Sequence, residues 1–111
     1  MWLVLVSCQT QDPHDIHLQV PPGAIQMSEG TNPAFGACNV GVADFWDRPH
    51  PPDGALRPSA GLFFLHEDGG ESSQFVFDGS TWSVCGETYR VIAIRVGHRA
   101  GGELLVRKVS P

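Results

Sequence analysis

Glycine and proline divide this chain into short segments. Together the 13 glycines and 9 prolines make up about a fifth of its 111 residues. A glycine inside a helix costs about 1 kcal/mol and a proline about 3 kcal/mol, so such a chain disfavours long helices. Apolar side chains recur mainly at every second position, which is typical of strands, and no segment sustains a helical period. The sequence therefore predicts a single all-β domain with one core.

The second half predicts a β-meander. Asp78-Gly79 is a tight-turn dipeptide, and glycines separate several of the neighbouring apolar runs. These runs are GLFFLH, SQFVFD, STWSV, TYRVIAIRV and ELLVRKV. In STWSV only Trp82 and Val84 form an apolar face, whereas TYRVIAIRV is mainly apolar on both faces, which places it centrally between two layers or within a small barrel. We expect a small antiparallel sandwich or barrel of about seven to eight strands that ends in this meander.

The first half contains two further strand signals and one long proline-rich segment. IHLQV alternates apolar and polar residues before Pro21-Pro22-Gly23 ends it, and FGACNVGVADFW predicts a strand with a bulge or a close packing contact. Residues 47–60 contain four prolines, which cannot donate backbone hydrogen bonds. We therefore expect a long surface loop at 47–60, and loops of this length are often functional.

The proline-rich loop is the predicted binding site. The aromatic pair Phe45 and Trp46 directly precedes it, and such a pair either anchors a loop or belongs to a recognition surface. The predicted contact residues are Trp46, His50, Asp53 and Arg57. A loop held in a defined shape loses less entropy on binding. The expected partner is a protein or an envelope polymer, and the oligomeric state stays open.

Charge and motifs argue against several other functions. The net charge is −5, and no stripe of Lys and Arg interleaved with aromatic residues suggests nucleic-acid binding. The clusters DPHDIH and HEDGGE lack the ligand spacing of zinc or calcium sites, so we predict no metal and no cofactor. GxSxG is absent, and no catalytic residue is predicted. The alternative is a small metal-dependent or hydrolytic enzyme that gathers His and carboxylate residues from different loops.

The beginning of the chain carries a resemblance to bacterial lipoproteins. Leu5-Val6-Ser7-Cys8 resembles a lipobox, in which the cysteine is acylated, and QTQDPHD resembles the polar tether that follows it. The apolar run 2–6 is shorter than the roughly 7 to 15 residues of a secretory signal. Either the signal begins upstream of Met1 and the match is its end, or WLVLV is an ordinary strand.

The resemblance implies a domain organisation and a location. Residues 1–15 would be a signal remnant or tether and residues 16–111 a single β-domain. Lipidation at Cys8 would place the protein in the cell envelope or another extracytoplasmic location, with the membrane contacted only through the anchor. Without that signal the protein would be cytoplasmic.

The resemblance also bears on the three cysteines. If Cys8 carries the lipid, Cys38 and Cys85 remain as a pair, and an exported protein tends to join such a pair in a disulfide. The closed loop would contain 48 residues, for which chain entropy predicts a stabilisation of roughly 4 kcal/mol.

Overall fold

The computed structural model describes residues 15–109, which form an antiparallel β-sandwich. The strands are β1 (Ala24–Ser28), β2 (Ala34–Phe35), β3 (Cys38–His50), β4 (Ala55–Leu65), β5 (Glu71–Phe77), β6 (Thr81–Val84), β7 (Glu87–Arg95) and β8 (Glu103–Lys108). The first sheet has the order β1-β8-β7-β6 and the second sheet the order β2-β3-β4-β5. The predicted all-β class and strand number are confirmed. Within residues 15–109, no helix is long and apolar enough to cross a membrane.

The core lies between the two sheets and follows the period-two pattern of the strands. Val40 and Val42 of β3 pair with Phe64 and Leu62 of β4, and all four side chains are buried. The facing side chains from the first sheet include Met27, Trp82, Val84, Tyr89, Val91, Leu104 and Val106. As predicted, β6 buries only one of its faces. Strand β7 lies between β8 and β6 in the first sheet.

The disulfide between Cys38 and Cys85 is present and joins the two sheets. Cys38 begins β3, Cys85 lies in the turn from β6 to β7, and their Cα atoms are 6.0 Å apart. Cys85 and Gly86 have φ values of 49° and 79°, which suit a two-residue hairpin turn with a left-handed backbone at both positions. This turn brings the Cys85 side chain to the start of β3.

The predicted meander is interrupted once. All five of its strands form, but β5 belongs to the second sheet and β6 to the first. Ser80 lies at the crossing, where its carbonyl accepts the amide of Val91 at 2.8 Å. The chain changes sheets there because the pairing of β6 with β7 buries the side chains of Trp82 and Val84. The Trp82 ring stacks on the Tyr89 ring with 4.8 Å between centroids.

The strand predicted from IHLQV does not form. Residues 16–20 have no strand structure and lie against the first sheet. The amide of Leu18 donates to the Glu103 carboxylate at 2.8 Å instead of to a neighbouring strand. The alternation of apolar residues was misleading, because Ile16 and Val20 are both about half exposed. We call residues 15–20 the strap.

The predicted long loop at 47–60 is wrong, because most of this segment is a β-hairpin. β3 continues to His50, β4 begins at Ala55, and only residues 51–54 form the turn. Residues 47–58 form a two-stranded hairpin arm that extends past the paired parts of β2 and β5. Among the described residues, no third strand pairs with either outer edge of this arm. Along those edges Pro49 and Pro58 therefore remove no hydrogen bond from a strand ladder.

Candidate functional site

A β-bulge in β3 determines which aromatic side chain is buried and which is exposed. The register shifts between Ala43 and Trp46, and Asp44 has a φ of 55°. The bulge contains one extra residue, which turns Phe45 into the core and leaves Trp46 64% exposed. The sequence predicted one strand over FGACNVGVADFW with a bulge or a close packing contact, on the basis of Gly36 and Gly41. The segment is instead divided by a turn at residues 36–37, and the bulge lies at Asp44 and Phe45.

Exposed aromatic rings collect on the outer face of the second sheet. Paired residues on antiparallel strands point to the same side of a sheet. The register places Ser59 between Trp46 and Phe77, Gly61 beside Phe75, and Phe63 beside Ser73. Phe63 and Phe75 are 43% and 54% exposed. We call this surface the aromatic face and define it by Trp46, His50, Phe63, Phe75 and Phe77.

Arg48 and Ser59 hold the Phe75 ring and the Trp46 backbone of the aromatic face in place. The Arg48 guanidinium lies 4.0 Å from the centroid of the Phe75 ring and donates from Nη1 to the Asp44 carbonyl at 2.8 Å and to Ser59 Oγ at 2.7 Å. Ser59 Oγ in turn donates to the Trp46 carbonyl at 2.6 Å. These contacts bury Ser59 on an otherwise open face.

Three further rings of the aromatic face are fixed by packing. His50 stacks on Phe77 with 4.2 Å between centroids and 8° between the ring planes. The Phe63 ring lies over Gly61, because a Cβ atom at Gly61 would be only 3.3 Å from Cε2 of Phe63. The absence of a side chain at Gly61 therefore allows the Phe63 ring to lie close to the backbone of β4.

A shallow trough runs beside Phe63 on the same face. It has a volume of about 490 Å³ and is lined by Asn32, Gly41, Phe63, Leu65, Glu71 and Ser73, among others. Gly41 has no side chain, so part of the floor is backbone. The trough combines an aromatic ring with amide, hydroxyl and carboxylate groups, which is the mixture of apolar and polar groups found in ligand sites.

The four predicted contact residues lie along the hairpin arm and at its base. Trp46 and His50 belong to the aromatic face, and Arg57 pairs in register with Arg48. Asp53 lies in the turn, where it accepts the amide of Ala55 at 3.0 Å and faces Arg57 at 3.6 Å. The hydrogen bond from Ala55, with the charge of Arg57 nearby, holds the pKa of Asp53 below its usual value.

The sequence prediction missed Arg48, Phe63, Phe75 and Phe77, which complete the surface around Trp46. A signal for the three phenylalanines was present. In FF the two rings point to opposite faces of a strand, and in FVF the two rings share the face opposite Val76, so one buried face cannot hold every apolar side chain of either segment. Their gathering beside Trp46 depends on the register of β3, β4 and β5.

A second polar cluster fastens the strap to the first sheet. The Asp15 carboxylate is 6% exposed and accepts the amides of His98, Arg99 and Ala100 at 2.7, 2.9 and 3.1 Å. Arg95 approaches it at 4.0 Å. The backbone amides of the loop between β7 and β8 therefore bind a carboxylate of the same chain.

Glu103 joins this cluster from β8. It contacts His17 and accepts from the Leu18 amide and, at 3.4 Å, from Arg95 Nε. Burial raises the pKa of Glu103, but the hydrogen bonds from His17, Leu18 and Arg95 outweigh burial and lower it below the ordinary value. Through these contacts the polar cluster attaches the strap to the first sheet.

The remaining chemical candidates from the sequence are dispersed. His66 contacts Ser72 Oγ at 2.8 Å, and Asp68 accepts the amide of Gly70 at 2.8 Å within its own turn. Over residues 15–109, no three His, Cys, Asp or Glu side chains are grouped so that they could hold a metal ion. Leu5-Val6-Ser7-Cys8 lies outside the described residues.

The comparisons do not assign the chain to a family. No known protein-family model, curated protein or solved structure matches this sequence or fold.

Proposed function

We propose that this protein is a non-catalytic binding module that recognises a protein or an envelope polymer outside the cytoplasm. The observation that carries the proposal is the aromatic face, on which several rings are exposed and yet held by specific contacts. Contiguous exposed apolar patches on a monomer mark interaction sites, and aromatic and arginine residues dominate binding energies at interfaces. Their fixed positions reduce the entropy lost on binding.

The compartment is supported by the cysteines. The disulfide between Cys38 and Cys85 is typical of proteins that fold in an oxidising environment. The lipobox-like Leu5-Val6-Ser7-Cys8 supports attachment to a membrane through a lipid on Cys8. Together they favour an extracytoplasmic protein anchored in the cell envelope.

An anchor at Cys8 is compatible with a free aromatic face. Seven residues after Cys8, Asp15 is docked on the β7–β8 loop, so the connection reaches at most about 25 Å. The strap contacts the first sheet, whereas the aromatic face belongs to the second sheet. A domain tethered close to the membrane would therefore keep its binding surface unobstructed.

Co-sedimentation with washed cell-envelope material of the source organism tests the proposal. We expect the unlipidated protein to sediment with this material and Trp46→Ala to reduce the bound fraction severalfold. Val20→Ala is the matched control, because Val20 is also an exposed apolar residue but lies on the strap. Equal sedimentation of all three proteins, or none by the wild type, would contradict the assignment of binding to the aromatic face.

A further inference from the structure

We propose that the aromatic face binds an uncharged polysaccharide whose pyranose rings are joined by equatorial, β-type linkages. This inference rests on the proposed function and specifies its ligand. Pyranoses with equatorial substituents direct their axial C–H bonds to the two faces of the ring. Those apolar faces match the electron-rich faces of exposed aromatic rings. The polar edge of each sugar requires hydrogen-bonding groups beside the rings.

The aromatic face provides both kinds of group. Trp46, Phe63 and Phe75 are the exposed rings, and Phe63 borders the trough that carries Asn32 and Ser73. Because Gly41 has no side chain, the trough stays shallow and open along the sheet. A polymer can therefore run along the strands from Trp46 to Phe63 without its ends being enclosed. A protein partner would instead favour a larger and more continuous apolar centre.

The charges of this surface favour a neutral ligand. Arg48 is engaged with the Phe75 ring, Asp44 and Ser59, and Arg57 faces Asp53. Glu71 adds a negative charge beside the trough, and the whole chain has a net charge of −5. An anionic polymer would be repelled by this distribution, whereas an uncharged one would not.

The spacing of the rings requires several sugars. Trp46 pairs with Ser59, which is four residues from Phe63 along β4. With a rise of about 3.4 Å per residue and about 4.8 Å between strands, these two side chains originate about 14 Å apart. One sugar cannot contact both rings, so affinity should rise with chain length.

The test uses N-acetylchitohexaose, cellohexaose and the monosaccharide glucose as probes in isothermal titration calorimetry. We expect at least one hexasaccharide to bind, glucose to bind far more weakly, and the affinity to change less than about twofold when salt is raised from low to 0.5 M. Trp46→Ala and Phe75→Ala should each weaken hexasaccharide binding about tenfold. Trp46→Phe, which keeps a ring, should recover most of the loss, and Val20→Ala should bind like the wild type.

The outcomes separate this inference from the proposed function. If neither hexasaccharide binds while envelope co-sedimentation still depends on Trp46, the polysaccharide inference fails and the binding function survives. If that co-sedimentation is lost after protease treatment of the envelope, the partner is a protein and the inference is again overturned. Hexasaccharide binding that is indifferent to Trp46 and Phe75 would also overturn it. Absence of both kinds of binding would refute the inference and the proposed function together.

Discussion

Buried charges at the strap show how single residues hold this fold together. Asp15, Arg95 and Glu103 are all nearly inaccessible, which is costly unless each charge is compensated. Here the amides of the β7–β8 loop and the Leu18 amide supply the missing hydrogen bonds. Removing one partner would leave the others buried and uncompensated, so the effect on stability exceeds that of an exposed ion pair.

The pH dependence of stability follows from Glu103. Because its pKa in the folded protein is lower than the ordinary value of 4.5, its ionised form stabilises the fold above that pH. The contribution is lost as the pH falls through the lower folded value. We expect Glu103→Gln to lower the free energy of unfolding by about 2 kcal/mol at neutral pH, with the difference from the wild type shrinking below about pH 4.5.

Urea unfolding from pH 7 down to pH 3 measures this difference. Glu71→Gln, at the exposed end of β5, is the matched control and should leave stability nearly unchanged at every pH. A difference for Glu103→Gln that grows on acidification would show that the carboxylate does not act in the ionised form.

At the scale of elements, the bulge of β3 locks the second sheet against the β7–β8 loop. Phe45, turned inward by the bulge, lies against Gly102, and a Cβ atom at Gly102 would be 2.3 Å from two atoms of its ring. This contact fixes the base of the hairpin arm relative to the first sheet. The exposed position of Trp46 depends on the same bulge.

Gly102→Ala should therefore be strongly destabilising. Phe45 must move out of a filled core, for which we expect a loss of about 2 to 3 kcal/mol in the free energy of unfolding. Gly101→Ala is the control, because its new Cβ atom would come no closer than 3.4 Å to Glu29. Chemical denaturation of both variants measures the contrast, and similar losses for the two would argue against the contact with Phe45.

The disulfide is the element that joins the sheets covalently. Replacing both cysteines, Cys38→Ala with Cys85→Ala, should lower the free energy of unfolding by roughly 4 kcal/mol, because a sequence separation of 47 leaves a long unfolded loop unconstrained. A thiol assay on unlipidated protein, unfolded without reductant, should find one reactive thiol, that of Cys8. Three reactive thiols would contradict the bridge.

The whole molecule has two outer faces of different character. On the first sheet the strap covers Arg95 and Glu103, whereas on the second sheet aromatic rings remain exposed. Burying apolar side chains is the main driving force of folding, so aromatic rings that stay exposed contribute little to the stability of the core. This asymmetry makes the second sheet the better candidate for recognition.

The proposed lipid anchor at Cys8 determines where the whole molecule is located. We expect the protein, expressed in a bacterium from its natural upstream reading frame, to fractionate with membranes and to incorporate a labelled fatty acid. Cys8→Ala should abolish the labelling, while Cys38→Ala should leave it in place. An in-frame stop directly upstream of Met1, or labelling independent of Cys8, would refute the anchor.

Local signals were sufficient for much of the architecture. The density of glycine and proline and the period-two pattern predicted an all-β sandwich or barrel, because both act within a few residues along the chain. The same reasoning located the one-sided β6, but it left open whether Trp46 anchors a loop or belongs to a recognition surface. The pairing of Cys38 with Cys85 was also predicted from the cysteine count and the lipobox resemblance, and the fold brings their Cα atoms to 6.0 Å.

The remaining features depend on contacts between distant segments. Prolines at 47–60 indicated a loop, but they are compatible with a hairpin whose edges have no further strand, which the sequence does not reveal. Asp15 became part of the fold through amides more than 80 residues away. The aromatic face exists because a bulge and the register of three strands bring Trp46, Phe63 and Phe75 to one side. Side-chain periodicity is a local property of the chain, whereas register and sheet membership are set by the packing of the whole core.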